Sequence, residues 1–190
     1  MNKAWIQLQD YEFTDTNDDG SWVLLTSKTL PSEPPAATRL LPTDESYQNH
    51  TLAGATLEEL NSFIRTHEQQ LEKLDISASL WVILDQKALE TATCILVEQM
   101  FDGDKMEMSD RFRALRIPLP EAWGYYFNLD ISKMRFEECA DFDAGVQEDG
   151  LYKWVGPFKP SNEGLEQCKI ERDRKMEAAL KAARDLGHID

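Results

Sequence analysis

"SLWVILDQKALETATCILVEQMFDGDKMEMSDRFRALRIPL", residues 79–119, decides the fold of this chain. Leu80–Leu84 is a run of branched and aromatic residues ending at Asp85, the composition of a fully buried strand. "TATCILVEQ" reads the same way, with "QKALE" between them as a short connection or a helical turn. "FDGD" makes a polar loop. In "RFRALRIPL", Phe112, Leu115 and Ile117 stand opposed to Arg111, Arg113 and Arg116, which predicts a strand with one solvated face. Those arginines would partly neutralise the carboxylates around them.

Upstream, "TLEELNSFIRTHEQQLEKLD" (56–75) opens with Thr56 and Glu59 in capping-box spacing. Leu57, Leu60, Ile64, His67, Leu71 and Leu74 follow as one helical stripe. "SWVLLTS" (21–27), after the turn-like "NDDG", reads as a buried strand. Residues 27–55, with Pro31, Pro34, Pro35 and Pro42, form an irregular excursion. Downstream, "YYFNLDI" (125–131) suits an extended segment and "SKMRFEECADF" a short helix capped by Ser132. "EDG" is a turn and "LYKWV" (151–155) a strand. A long helix closes the chain, with Leu165, Cys168, Met176, Ala179, Ala183 and Leu186 as its apolar stripe and Gly187 as its C-cap. The expectation is a single α/β (or α+β) domain over 1–160, a mixed sheet of about 4–5 strands with packing helices, and a C-terminal helix (161–190) packed on that domain.

Charge narrows the function. The chain has 190 residues and a formal net charge of −15. Neutralising a phosphate backbone needs clustered Lys and Arg, so nucleic acid is an unfavourable partner, and so is an anionic membrane surface. Residues 1–20 carry −4, 98–110 carry −4 and 128–150 carry −5, whereas 163–186 is neutral. A basic protein partner fits this patchy acidity. No run reaches the ~18 apolar residues needed to cross a bilayer, and the start of the chain does not read as a signal peptide. Cys94, Cys139 and Cys168 are odd in number and far apart, which points to a reducing, cytoplasmic setting.

Four pieces carry a resemblance: "LWVILDQKALETATCILVE", "FRALRIPLPEAW", "NLDISKMRFEECAD" and "VQEDGLYKWV". They resemble a family of small acidic α/β proteins classed as a domain of unknown function. That family has a strand ending in Asp, an "FR…P…W…NL" block running into "FEEFA", and then "DEDGV". The matching positions include Asp85, Arg113, Trp123, Asn128, Phe136, Glu137, Glu138 and Gly150. "ESYQNHTLAGATLEEL" is similar to the family's entry into its first helix. The chain departs from the family at Cys139, where an aromatic is usual, and in the helix beyond residue 160. The resemblance implies one α/β domain and no particular activity; by analogy alone, some proteins of this kind look like immunity or inhibitor proteins.

Candidate chemistry is sparse. His50, His67 and His188 lack His or Cys partners at ligand spacing, so no zinc site is expected. Carboxylates leave an oxygen-ligand Mg²⁺ or Ca²⁺ site open, although "DFDAGVQEDG" is too irregular for an EF-hand loop. Cys94 falls in an apolar strand, and the acids around Cys139 raise its pKa, the wrong direction for a nucleophile. No Gly-rich phosphate loop is present, and no cofactor is expected.

Two readings of "WGYYFNLDISKMRFEECADFDAGVQEDGLY" (123–152) remain. In the first, Glu137, Glu138 and Asp141 form an acidic face that binds a basic protein partner, helped by 98–110. In the second, Trp123, Tyr125, Tyr126 and Asn128 wall a pocket for a small apolar molecule, and a cofactor-independent isomerase or cyclase works there. Its catalytic candidates are Tyr126, Asn128, Glu137 and Asp141.

Overall fold

Leu80–Ile83 (β1), Thr93–Asp102 (β2) and Glu107–Pro118 (β3) form an antiparallel sheet in the order β1-β2-β3. They belong to a computed structural model that describes residues 1–9, 22–35, 51–156 and 163–189. Leu80 pairs with Glu98 and Ile83 with Ile95; across the other ladder Cys94 pairs with Ile117 and Glu98 with Arg113. A register shift between Gln99 and Phe101 interrupts the second ladder. Gln99 is buried there, and its amide donates to the carbonyls of Ser109 and Arg111. That secures the end of the hairpin, where a bulge would otherwise leave backbone groups unpaired.

Side chains alternate across a sheet, so register decides what each face buries. Leu80, Leu96, Leu115 and Ile117 pack on one face with Tyr125, Leu129, Met134 and Phe136. Ile95, Val97 and Ala114 pack on the other with Leu151, Leu57 and Trp81. Both faces are therefore covered. The expected solvated arginine face does not form: Arg113 lies on the face of Leu115 and Ile117, and Arg116 on the face of Ala114. An odd and an even position of one strand cannot share a face.

Three strands, not four or five, are present among the described residues, and the sheet is antiparallel rather than mixed. Trp22–Ser27 is not part of the sheet. Its indole donates to the Leu8 carbonyl at 2.7 Å, and its backbone turns to Thr51, whose N–H meets the Thr26 carbonyl at 3.1 Å. Residues 151–155 are bridged to the sheet at one place, Tyr152 against Leu115; their other bridges run to Ala140 and Val146, outside it. Strand propensity describes side chains that fit a pleated surface; it does not supply a free ladder to join. Residues 27–35 and 51–55 contain no helix or strand, and the rest of the expected excursion lies outside the described residues.

Helices cover the sheet. Asn2–Leu8 (α1) was not expected; it buries Ala4, Trp5, Ile6 and Leu8. Leu57–Thr66 (α2) starts at the expected capping box, with Thr56 accepting from the Glu59 N–H and Glu59 from the Thr56 N–H. The predicted single helix breaks at His67, and Glu68–Lys73 (α3) resumes it. The His67 ring meets the Phe63 carbonyl at 2.8 Å. Gln86–Thr91 (α4) joins β1 to β2 and is capped by Asp85, which accepts from the Ala88 N–H.

The largest correction concerns residues 125–131. Leu119–Asp130 (α5) is a helix, with Pro120 in its first turn, where a missing N–H costs nothing. Leu119, Ala122, Tyr125 and Leu129 are buried at helical spacing. Ser132 caps nothing: it sits at φ 55°, and the short helix that follows is a 3₁₀ turn, Phe136–Glu138.

Glu163–Asp185 (α6) forms as expected, and the packed part of its described stripe lies towards its C-terminal end. Ala183 is buried against Ile6, flanked by Met176, Ala179 and Leu180. Cys168 and Leu186 are exposed. Arg172 holds the middle of the helix to Glu121 of α5 at 3.4 Å.

Candidate functional site

The helical geometry of α5 divides the four aromatic-segment candidates instead of lining them up. Tyr125 points into the core, edge-on to Trp154, and its hydroxyl donates to the Gly156 carbonyl at 2.7 Å. Asn128 donates to the carbonyl of Gly124 one turn back, at 2.7 Å. Trp123 and Tyr126 share another side of α5, their rings stacked at 5.9 Å, and Trp22 meets both edge-on. Of the four, only Tyr126 is among the lining of an apolar cavity of about 280 Å³. Burial raises its hydroxyl pKa against the effect of a hydrogen bond with Ser77, so the group stays protonated at neutral pH.

The acidic candidates are drawn into local structure. Glu138 accepts from the Arg135 N–H at 3.0 Å and closes the 3₁₀ turn. Asp141 accepts from the Ala144 N–H at 3.0 Å, with Lys153 at 3.8 Å. Asp141 lies beyond the end of the 3₁₀ turn, so it shares no helical face with Glu137. Asp149 accepts from the Leu151 N–H at 3.2 Å, and Gly150 follows at φ 79°, a turn conformation that glycine adopts without strain. Much of the motif from Asn128 to Gly150 thus specifies loop geometry.

Glu137 is the exception. Arg113 reaches it from β3, pairs with Glu98 at 2.5 Å on its other side, and lies over the Phe136 ring at 4.6 Å. Partial burial opposes ionisation of Glu137, but the hydrogen bond and charge of Arg113 outweigh it and hold the carboxyl below its usual pKa. Cys139 beneath is fully buried, and burial pushes its thiol up to about 12; Cys94 is pushed to about 12 in the same way. Neither thiol is a nucleophile in this state.

This trio lines a cleft of about 530 Å³ between the β2–β3 hairpin and the end of α5. Leu80, Met100, Phe101, Met108 and Leu129 supply apolar surface. Glu98, Asp130 and Glu137 supply three carboxylates, with Arg113 the one basic side chain among the described lining. Phe101 (54% exposed) and Ile131 (41%) present hydrocarbon to solvent beside it. The cleft draws its lining from both acidic segments, 98–110 and 128–150, which are remote in sequence. Glu98 and Asp130 were missed as site residues; their signal is the register that sets Glu98 opposite Arg113.

No group of three or more His, Cys, Asp or Glu side chains among the described residues is placed to hold a metal ion. Nor is any helix of the described residues long and apolar enough to cross a membrane. The profile of a family described as "Domain of unknown function (DUF6924)" matches residues 13–155, which takes in the cleft and stops short of α6. No curated protein and no solved structure matches the chain.

Proposed function

We propose, for a chain that belongs to this domain family of unknown function, a binding role: the cleft receives a Lys- or Arg-bearing, partly apolar segment of a basic protein partner. One observation carries the reading. Three carboxylates and one arginine, itself shared by two of them, surround an apolar floor at a place where both acidic segments meet. A cationic side chain entering there finds surplus negative charge, while its methylene stem covers Met100, Met108 and Leu129. The surrounding potential adds steering, since the chain carries −15 overall.

The enzymatic alternative, a cofactor-independent isomerase or cyclase, has less support. The Tyr125 hydroxyl and the Asn128 amide N–H are donated to the fold's own carbonyls, and of the four pocket-wall candidates only Tyr126 lines the apolar cavity.

The experiment is a titration of the protein with a twelve-residue Lys/Leu peptide, followed by amide and methyl chemical shifts. Shifts concentrated at Met100, Phe101, Met108, Leu129 and Asp130 are expected. Shifts scattered over every acidic segment, or none at the cleft, would overturn the proposal.

A further inference from the structure

A second site lies along the β1 edge of the sheet, and the geometry points to a small-molecule cavity that takes a neutral, mainly apolar compound with one hydrogen-bonding group. β1 is the edge of the sheet among the described residues, so alternate N–H and C=O groups along it point away from β2. Among the described residues, no neighbouring strand fills the space bordering Leu80–Leu84. It is a cavity of about 280 Å³, with Trp22–Thr26 among its lining. At about 30 Å³ of liquid per molecule, that is the share of roughly nine waters.

Its chemistry selects the ligand. α1 contributes Trp5 and Leu8, α2 contributes Leu60, Phe63 and Ile64, and Asp75 is the only charged side chain in the described lining. That carboxylate, with the net charge of −15, disfavours an anion. Polar atoms are few and specific. Trp81 lines the cavity, and its buried indole N–H has no hydrogen-bond partner among the described residues. Ser77 and the protonated hydroxyl of Tyr126 stand in the lining as well. The Trp81 N–H is itself closed off from the cavity, so the ligand's hydrogen-bonding group meets the Ser77 and Tyr126 hydroxyls, which bond each other. The occupant is a flat, two- or three-ring neutral molecule bearing a hydroxyl, amine or carbonyl. Its described lining shares only Leu80 with that of the acidic cleft, and the proposal does not depend on what that cleft binds.

The probe is 1-aminoanthracene, titrated into the full chain while energy transfer from tryptophan is recorded. Saturable binding is expected, with displacement by 1-naphthol and at least tenfold weaker displacement by 1-naphthoate. Val82→Trp, which fills the cavity from β1, should abolish the signal. Should that variant fail to fold, methyl shifts of Val82, Ile83 and Leu84 in the unmodified chain serve instead, and they should move with added probe. Non-saturable binding, equal displacement by the anion, an unchanged affinity in folded Val82→Trp, or shifts confined to Met100 and Met108 would each overturn the assignment.

Discussion

Arg113 and Arg116 stand three residues apart on β3, each paired with a carboxylate, and they serve different ends. Arg116 donates to Asp85 through both terminal guanidinium nitrogens, at 3.1 and 2.5 Å, and the same carboxylate caps α4. Each charge has one partner, and both are committed to joining β1, α4 and β3. Arg113 sits on the other face, between two carboxylates, beside a cleft that holds a third in Asp130. The first pair is charge-balanced and structural. The second leaves negative charge over, which is what a cationic partner needs.

Acid acts on both pairs at once and gives the largest effect. Asp85 and Glu137 are each partly desolvated, but their arginines hold both carboxyls below the ordinary values. A depressed folded pKa means stability that is complete above the unfolded value, about 4, and lost as pH falls through the folded one. Urea midpoints should therefore drop steeply below about pH 4, and less steeply in Asp85→Asn. A variant profile parallel to that of the parent protein would show that the Asp85 pair contributes nothing.

At neutral pH the two arginines should separate. Arg116→Met should cost about 2 kcal/mol of stability, the loss of charged hydrogen bonds at a carboxylate a third exposed. It should leave binding of the Lys/Leu peptide unchanged. Arg113→Met should cost about as much stability, about 2 kcal/mol, because it leaves the partly buried Glu98 without its partner, but it should tighten peptide binding roughly fivefold at low salt, since removing one cation is worth about 1 kcal/mol at contact distance in water. Weaker binding in Arg113→Met would erase the contrast between the pairs. Smallest of all, Glu138→Gln keeps an acceptor for the Arg135 N–H, so it should shift the thermal midpoint by under a degree or two and peptide affinity by less than twofold.

How much of this could be read in advance follows from how local each signal is. The capping box at Thr56 and Glu59 involves neighbours only, and it forms as spaced. The cores of β1, β2 and β3 announce themselves through branched residues. α5 was misread because Tyr125, Tyr126 and Phe127 suggest a strand, while the prolines suggest a break. The better signal was the spacing of Leu119, Ala122, Tyr125 and Leu129. α1 is only seven residues long, too short for a periodic pattern to stand out. The cleft was half legible: both acidic segments were visible, but their meeting depends on the register that sets Glu98 against Arg113. Strand parity alone would have parted Arg113 from Arg116.

The most direct test compares two charge reversals of equal size. Asp130→Lys lies in the cleft, whereas Asp185→Lys lies at the end of α6, beyond the family match; both residues are exposed. Each changes the net charge by the same amount, so calorimetric titration with the Lys/Leu peptide at 150 mM salt, where screening acts over ~8 Å, isolates position from total charge. Weakening of about fivefold or more in Asp130→Lys, with less than twofold in Asp185→Lys, is the predicted result. Equal weakening in both would mean that the acidity acts only as a diffuse field, and that the cleft is not the binding site.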